Sequence, residues 1–186
     1  MQITLLRHGK PVFELSGKVR ANELSNIAKL YDSSGIVGEP PREVMAAVGG
    51  HNAVVCSNLA RSMESARALG FHKIHLTEPL FRETAIPHFN SGSVMLPISA
   101  WVFILRSLWL LGFSRNGESF AGAKRRAVEA AQRLIQLANE YGSVLLVGHG
   151  LINHLIAKEL LMEGWVGPSR SGREFWDYAV YRNITT

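Results

Sequence analysis

The stretch Gln2-Ile3-Thr4-Leu5-Leu6-Arg7-His8-Gly9 decides how this chain folds. Its apolar positions predict a short buried strand over 2–7 that ends at a histidine and a glycine. The later stretch Val144-Leu145-Leu146-Val147-Gly148-His149-Gly150 has the same form and predicts a second strand over 143–148. Ligands of open α/β sheets bind at the carboxyl ends of the strands. If both strands are central and parallel, His8 and His149 meet over one pocket, which suits a nucleophilic histidine and an anionic ligand.

Strand and helix patterns alternate along the rest of the chain. The remaining predicted strands are 53–56, 73–77 and 174–184. The predicted helices are 22–32, 41–48, 58–69 (with Ser57 as N-cap), 97–112, 120–140 and 151–163. Residues 78–93 are predicted to be irregular. The alternation predicts one domain over 1–186, a three-layer α/β/α sandwich with a mainly parallel central sheet.

Composition narrows the class of protein. The 186 residues are 47% hydrophobic and 19% charged, typical of a folded globular domain, and the net charge is +5. The densest basic cluster, 124–126, is interpreted as the solvated face of a helix. Without a dense basic stripe or a pattern of stacking aromatics, nucleic acid is not an expected partner. The single cysteine, Cys56, allows no intrachain disulfide, and the N-terminus lacks the pattern of a signal peptide, so we expect a cytoplasmic protein.

The segment 94–118 contains an unusually apolar helix pattern over 97–112. Pro97, Arg106 and its short length argue against a membrane span, which needs about 20 mostly apolar residues. We interpret 94–118 as an apolar helical insert. Its helix is expected to line or cover the pocket, or to bury its apolar face in a homodimer.

An arginine follows the predicted strand 53–56. Arg61 lies in the first turn of the helix 58–69, where free N–H groups and the helix dipole favour anions. Its guanidinium adds a planar fork that can bind phosphate through two hydrogen bonds. Together with His8 and His149, Arg61 predicts a pocket for a phosphoryl group.

These motifs, taken in order, resemble the histidine phosphatase superfamily, the phosphoglycerate-mutase-like group. Arg7-His8-Gly9 matches its Arg-His-Gly signature, and Ser57-x-Leu59-x-Arg61-Ser62-x-x-Ser65-Ala66 is similar to its Ser-x-Leu-x-Arg-Ala-x-Gln-Thr-Ala element. Gly148-His149-Gly150 resembles the family's second histidine, and Gly117-Glu118-Ser119 before a long helix also recurs there. The ordered set spans nearly the whole chain.

The resemblance implies a catalytic apparatus. His8 would attack phosphorus to form a phosphohistidine, with its other ring nitrogen donating to a backbone carbonyl. Arg7, Arg61 and His149 would surround the phosphoryl oxygens. Because positioning and charge stabilisation dominate phosphoryl transfer, this pocket would need neither a metal nor a cofactor.

The resemblance also implies a carboxylic acid that protonates the leaving oxygen and then activates water. Glu83 is the candidate, with Glu78 as the alternative. We expect Gly150, Lys10 and His88 to contribute to substrate binding, although Lys10 could equally face solvent.

Departures from the family pattern limit the choice of substrate. Glu14 stands where mutases carry an asparagine, and the glycine and tryptophan usual after the acidic residue are replaced by His88-Phe89-Asn90. These changes argue against phosphoglycerate mutase activity. The expected partner is a phosphorylated small molecule or a phosphoprotein. The alternatives are a mutase-type phosphotransferase and a catalytically weak member that binds phosphorylated ligands or a protein partner.

Overall fold

The computed structural model describes residues 1–183 and contains a five-stranded central sheet. The strands of the described chain are β1 (Gln2–Arg7), β2 (Lys18–Arg20), β3 (Ala53–Cys56), β4 (Leu76–Thr77), β5 (Met95–Pro97), β6 (Ser143–Gly148) and β7 (Tyr178–Arg182). The helices are α1 (Leu24–Ser33), α2 (Arg42–Val48), α3 (Ala60–Ala68), α4 (Ile98–Leu110), α5 (Phe120–Tyr141) and α6 (Gly150–Met162). Short 3-10 helices cover Ala21–Glu23 and Pro79–Phe81. In the part of the chain described, no helix is both long and apolar enough to cross a membrane.

The sheet is mainly parallel, as predicted. Its order is β4-β3-β6-β1-β7, and only β7 is antiparallel to its neighbour. The two central strands pair in parallel with Arg7 opposite Gly148. Both strands therefore end at the same edge, and the residues that follow them, His8 and His149, emerge side by side.

Helices cover both faces of the sheet and make the three predicted layers. Ile3 and Leu5 of β1 pack with apolar side chains of α5 and α6, such as Leu134 and Ile156. Leu6, which points to the opposite face because strand side chains alternate, packs with residues of α2 and α3.

Several predicted elements differ from the observed ones. Only Leu76–Thr77 of the predicted strand 73–77 forms a ladder, and Pro79–Phe81 is helical within the segment predicted to be irregular. The last strand is limited to Tyr178–Arg182, and position 184 of that prediction lies outside the described residues.

The segment 94–118 is not purely helical as predicted, because its first residues form a strand that pairs with β2. Met95–Pro97 pairs antiparallel with Lys18–Arg20 in a second, two-stranded sheet, and α4 begins only at Ile98 and ends at Leu110. The indole Nε1 of Trp101 donates a hydrogen bond to the Val19 carbonyl at 3.0 Å. Two stretches far apart in sequence thus form one small substructure beside the sheet edge that carries the histidines.

Candidate active site

The two strand-end histidines lie together. The ring centroids of His8 and His149 are 4.9 Å apart, in an edge-on arrangement. The backbone N–H of His8 donates to the Gly148 carbonyl at 3.1 Å, which continues the β1–β6 pairing by one residue. His8 is 2% exposed and His149 is fully buried.

His8 is held as a neutral imidazole. Burial is the main reason that its pKa falls from 6.5 to about 3, and the charges of Arg61 and Arg7 lower it further. Nδ1 lies 2.7 Å from the Gly9 carbonyl and, as an N–H donor, confirms the predicted contact with a backbone carbonyl. With the proton on Nδ1, Nε2 keeps its lone pair and is the nucleophilic atom.

His149 is oriented by a serine. Its Nε2 lies 2.7 Å from the Ser57 hydroxyl, and that oxygen accepts the Leu59 N–H at 3.3 Å. We assign the Ser57 hydrogen to this contact with Nε2, an assignment that places the His149 proton on Nδ1. Burial holds the pKa of His149 well below its usual range, so the ring is neutral. The expectation that Ser57 caps helix 58–69 was wrong: α3 begins at Ala60 with Leu59 as N-cap.

Two arginines flank the histidines. Arg7 donates through Nη1 to the Arg173 carbonyl, and its guanidinium carbon lies 4.4 Å from the centroid of the Phe175 ring. Arg61, 1% exposed, donates to the Tyr31 carbonyl at 2.9 Å and to Asp32 Oδ1 at 3.3 Å. Both guanidiniums are thus fixed on one side by protein acceptors.

Each of the three residues around His8 also presents a free nitrogen. Among the described residues, Arg7 Nε, Arg61 Nε and His149 Nδ1 are buried and have no hydrogen-bond partner. Buried donors without partners cost free energy, about 1–3 kcal/mol each, so sites that retain them usually serve a ligand. A tetrahedral oxyanion has the number of acceptors and the charge that these donors require.

Glu83 lies at the N-terminus of α6. Its carboxylate accepts the N–H groups of Leu151 at 3.2 Å and Ile152 at 3.1 Å, in addition to that of Thr84. Glu83 is therefore one helical turn from His149. Glu78, the alternative acid, instead pairs with Arg133 at 3.8 Å.

Sequence reasoning missed the residue that fixes the Glu83 segment. Arg126 was assigned to a solvated helix face, but it is largely buried and donates to the carbonyls of Leu80 at 2.9 Å and Arg82 at 2.7 Å. Glu118 holds the other side of the guanidinium with hydrogen bonds of 2.9 and 2.6 Å. The Gly117-Glu118-Ser119 motif was a signal that a carboxylate was available there.

A cavity of about 930 Å³ adjoins this site. Arg61, Glu83 and His88 line it. The buried His8 and His149 are not among the residues that line it. Gly150 packs against Arg7, since an added Cβ would lie 3.6 Å from the Arg7 guanidinium carbon. Lys10 is exposed and paired with Glu14 at 2.8 Å, and it does not line the cavity.

The fold and the site define a class of protein: an α/β protein with two neutral histidines and three nitrogens left unpartnered by the described residues at the carboxyl edge of its sheet. These nitrogens, Arg7 Nε, Arg61 Nε and His149 Nδ1, are called the anion pocket below. A family model for the histidine phosphatase superfamily (branch 1) matches residues 42–171. The chain belongs to this superfamily. The match covers the Arg61 and His149 motifs, whereas the Arg7-His8-Gly9 motif precedes it.

Solved structures show the same fold. The chain is similar to the open reading frame Rv3214 of Mycobacterium tuberculosis, with a TM-score of 0.65, 19% identity, and coverage of 96% of this chain and 89% of that one. It is also similar to the alpha-ribazole phosphatase of Shigella flexneri, with a TM-score of 0.57, 16% identity, and coverage of 97% of this chain and 89% of that one. A third similar structure is the mycobacterial glucosyl-3-phosphoglycerate phosphatase, with a TM-score of 0.56, 18% identity, and coverage of 87% of this chain and 79% of that one. No curated protein matches the sequence.

Proposed function

We propose that this protein is a metal-independent phosphatase that hydrolyses a phosphomonoester through a phosphohistidine on His8. The proposal depends on one observation. Three buried nitrogens, of Arg7, Arg61 and His149, have no partner among residues 1–183, and they belong to side chains next to the neutral His8. A site that only bound phosphate would not need a nucleophile kept unprotonated by burial. The membership of the superfamily and the phosphatases among the similar structures support the same conclusion.

The first step forms the phosphoenzyme. The Nε2 lone pair of His8 attacks phosphorus, the bond between phosphorus and the ester oxygen breaks, and Glu83 gives a proton to the departing alcohol. The developing charge on the phosphoryl oxygens is stabilised by N–H donors from Arg7, Arg61 and His149, which are already oriented by the protein. Phe175 and the carbonyl of Arg173 hold Arg7 in place during the step.

The second step regenerates the enzyme. Glu83, now a carboxylate, takes a proton from water, which attacks phosphorus and breaks the bond to Nε2. Inorganic phosphate leaves and His8 returns to its neutral form. No group outside the chain needs to accept or donate electrons in either step.

The substrate in this proposal is a phosphorylated small molecule or a phosphorylated protein side chain, and the place of action is the cytoplasm. Its alternatives are a mutase-type phosphotransferase and a weakly catalytic binding member.

The homodimer through 97–112 stays a prediction. On that helix Phe103 is 74% exposed and Leu110 is 60% exposed, and light scattering across a concentration series would test self-association.

The decisive experiment is turnover of p-nitrophenyl phosphate in excess EDTA by wild type, His8→Ala and His72→Ala, the last a matched control because His72 is exposed. We expect wild type and His72→Ala to hydrolyse p-nitrophenyl phosphate at equal rates and to form a phosphoenzyme, acid-labile and base-stable, that rapid quench traps. His8→Ala should show neither turnover nor the phosphoenzyme. Full turnover by His8→Ala would refute the mechanism. Loss of wild-type turnover in EDTA would refute metal independence.

A further inference from the structure

The cavity next to the anion pocket is built from two apolar stripes. On α4, Ile98, Trp101, Val102 and Leu105 line it, and on α1 the lining residues include Leu24, Ile27, Ala28 and Tyr31. Both sets have the spacing i, i+3, i+4, i+7, which places the four side chains on one face of a helix. Such faces normally pack against each other.

Here the two stripes converge only partly. Leu24 packs with Trp101 and Leu105 in one buried cluster. The rest of the two faces encloses about 930 Å³ of space, near the upper end of the range for small-molecule pockets and far more than a phosphoryl group fills. The apolar walls of this cavity suit a mainly apolar group.

Most of the charged residues in the lining form one connected network, and Lys29, Glu83 and Arg106 lie outside it. Arg106 of α4 donates to the Thr84 carbonyl at 2.9 Å. Asp32 pairs with Arg61 at 3.3 Å and with Arg82 at 3.8 Å. Arg126 donates to the Arg82 carbonyl and pairs with Glu118 at 2.6 Å. Because this network contains Arg61 of the anion pocket, it marks the end of the cavity where the phosphoryl group would lie. The α1 and α4 stripes are left to contact the alcohol portion.

We propose that the physiological substrate is the phosphate monoester of a large, mainly apolar alcohol, enclosed between α1 and α4. The proposal rests on the phosphatase function proposed above and specifies its substrate class. A sugar or glycerol phosphate would leave its hydroxyl groups without partners along both stripes, at a cost for each buried hydroxyl. A phosphoprotein would have to place an apolar segment along both stripes in place of its polar backbone, so phosphopeptides are expected to be poorer substrates.

The test uses straight-chain alkyl phosphates from ethyl to decyl, kept below their micellar concentrations. Their alcohols have nearly equal acidity, so the chemical step is constant and only the apolar area changes. If each methylene is fully buried, kcat/KM should rise by up to about fourfold per methylene, the equivalent of ~0.8 kcal/mol, until the cavity is filled. Binding of the matching alkyl phosphonates, which cannot be hydrolysed, should follow the same trend in calorimetry.

Two variants locate the effect. Val102→Asn places a polar amide in the α4 stripe, and Leu110→Asn makes the same kind of change on the same helix at an exposed position that does not line the cavity. We expect Val102→Asn to lower kcat/KM for decyl phosphate by about tenfold. Its loss of kcat/KM for ethyl phosphate should be much smaller than that for decyl phosphate, and the retained turnover also shows that the variant is folded. Leu110→Asn should change neither.

The outcomes separate the two proposals. A flat alkyl series, an equal effect of Val102→Asn on both esters, or faster hydrolysis of a phosphoserine or phosphotyrosine peptide than of decyl phosphate would overturn the substrate class while leaving the phosphatase intact. Phosphonate binding that strengthens with chain length, without turnover of any ester, would support the apolar site and overturn the proposed catalysis.

Discussion

Burial of His8 should make the stability of this protein fall as the solution becomes acidic. The pKa of His8 is lowered from 6.5 to about 3 in the folded state, chiefly by burial. Between these values the unfolded chain binds a proton that the folded protein cannot accept, so acid favours unfolding. The contribution of His8 to stability is fully present above pH 6.5 and is lost progressively as the pH falls toward 3.

The magnitude follows from the difference between the two pKa values. At pH 7 the unfolded His8 is mostly neutral and the penalty is small. At pH 5 the unfolded residue is protonated and the folded one is not, which costs about 2 kcal/mol at 1.36 kcal/mol per pKa unit. The buried His149 shifts in the same direction and adds to the slope.

The measurement is urea unfolding by tryptophan fluorescence at pH 7, 6 and 5 for wild type, His8→Gln and His72→Gln. Comparing wild type with His8→Gln cancels the titration of groups that do not interact with His8. We expect the unfolding free energy of wild type to fall by about 2 kcal/mol more than that of His8→Gln between pH 7 and 5, while His72→Gln, altered at an exposed histidine, follows wild type. Equal slopes for wild type and His8→Gln would show that His8 is not held neutral by burial, and the assignment of Nε2 as a ready nucleophile would fail.

Three further predictions concern the surroundings of the histidines. Glu83→Gln should lower kcat/KM for ethyl phosphate about 10²-fold or more but lower kcat/KM for p-nitrophenyl phosphate much less, because kcat/KM reports formation of the phosphoenzyme and nitrophenolate leaves without a proton in that step. Glu78→Gln should change neither, and equal losses with both esters would argue against proton transfer by Glu83. Asp32→Asn should tighten inhibition by vanadate by up to about fivefold, since the half-exposed carboxylate competes for the pocket arginine; an unchanged inhibition constant would refute that competition. Arg126→Met should lower the free energy of unfolding by about 2 kcal/mol, the value of charge-assisted hydrogen bonds, whereas the neighbouring exposed Arg125→Met should not. Equal stability of these two variants would contradict the role of Arg126 in fixing the Glu83 segment.

The sheet was predictable because its signals are local and strong. The apolar runs before His8 and His149 indicate buried strands, and the alternation of strands and helices indicates a mainly parallel sheet. The direct pairing of the two strands, which brings the rings to 4.9 Å, was only a condition at the level of sequence and is seen in the structure. Glu83 was placed only through family resemblance. Its position at the start of α6 depends on contacts across about 70 residues of sequence.

Residues whose position depends on tertiary packing escaped prediction. Ser57 has a typical capping residue type, but its hydroxyl contacts His149 on a different strand end, so local propensity misled. Arg126 belongs to a basic run that looks solvated, and only the packing of α5 against Pro79–Phe81 turns it inward. The pairing of Lys18–Arg20 with Met95–Pro97 joins short segments without clear alternation, for which sequence periodicity carries no signal.

In the proposed enzyme, chemistry and substrate choice are carried by different parts of the chain. The anion pocket is attached to the central strands and to the first turns of α3 and α6, where parallel pairing fixes positions closely and buried donors tolerate little displacement. The α1 and α4 stripes belong to a peripheral substructure held by one two-stranded sheet and a small apolar cluster. Of the two helices, α1 also holds Arg61 through the Tyr31 carbonyl and Asp32, whereas the lining residue Val102 lies on α4. If the proposed substrate class holds, alcohol specificity can change through α4 without a change in the pocket residues, and the variants at Val102 and Leu110 measure how independent the two parts are.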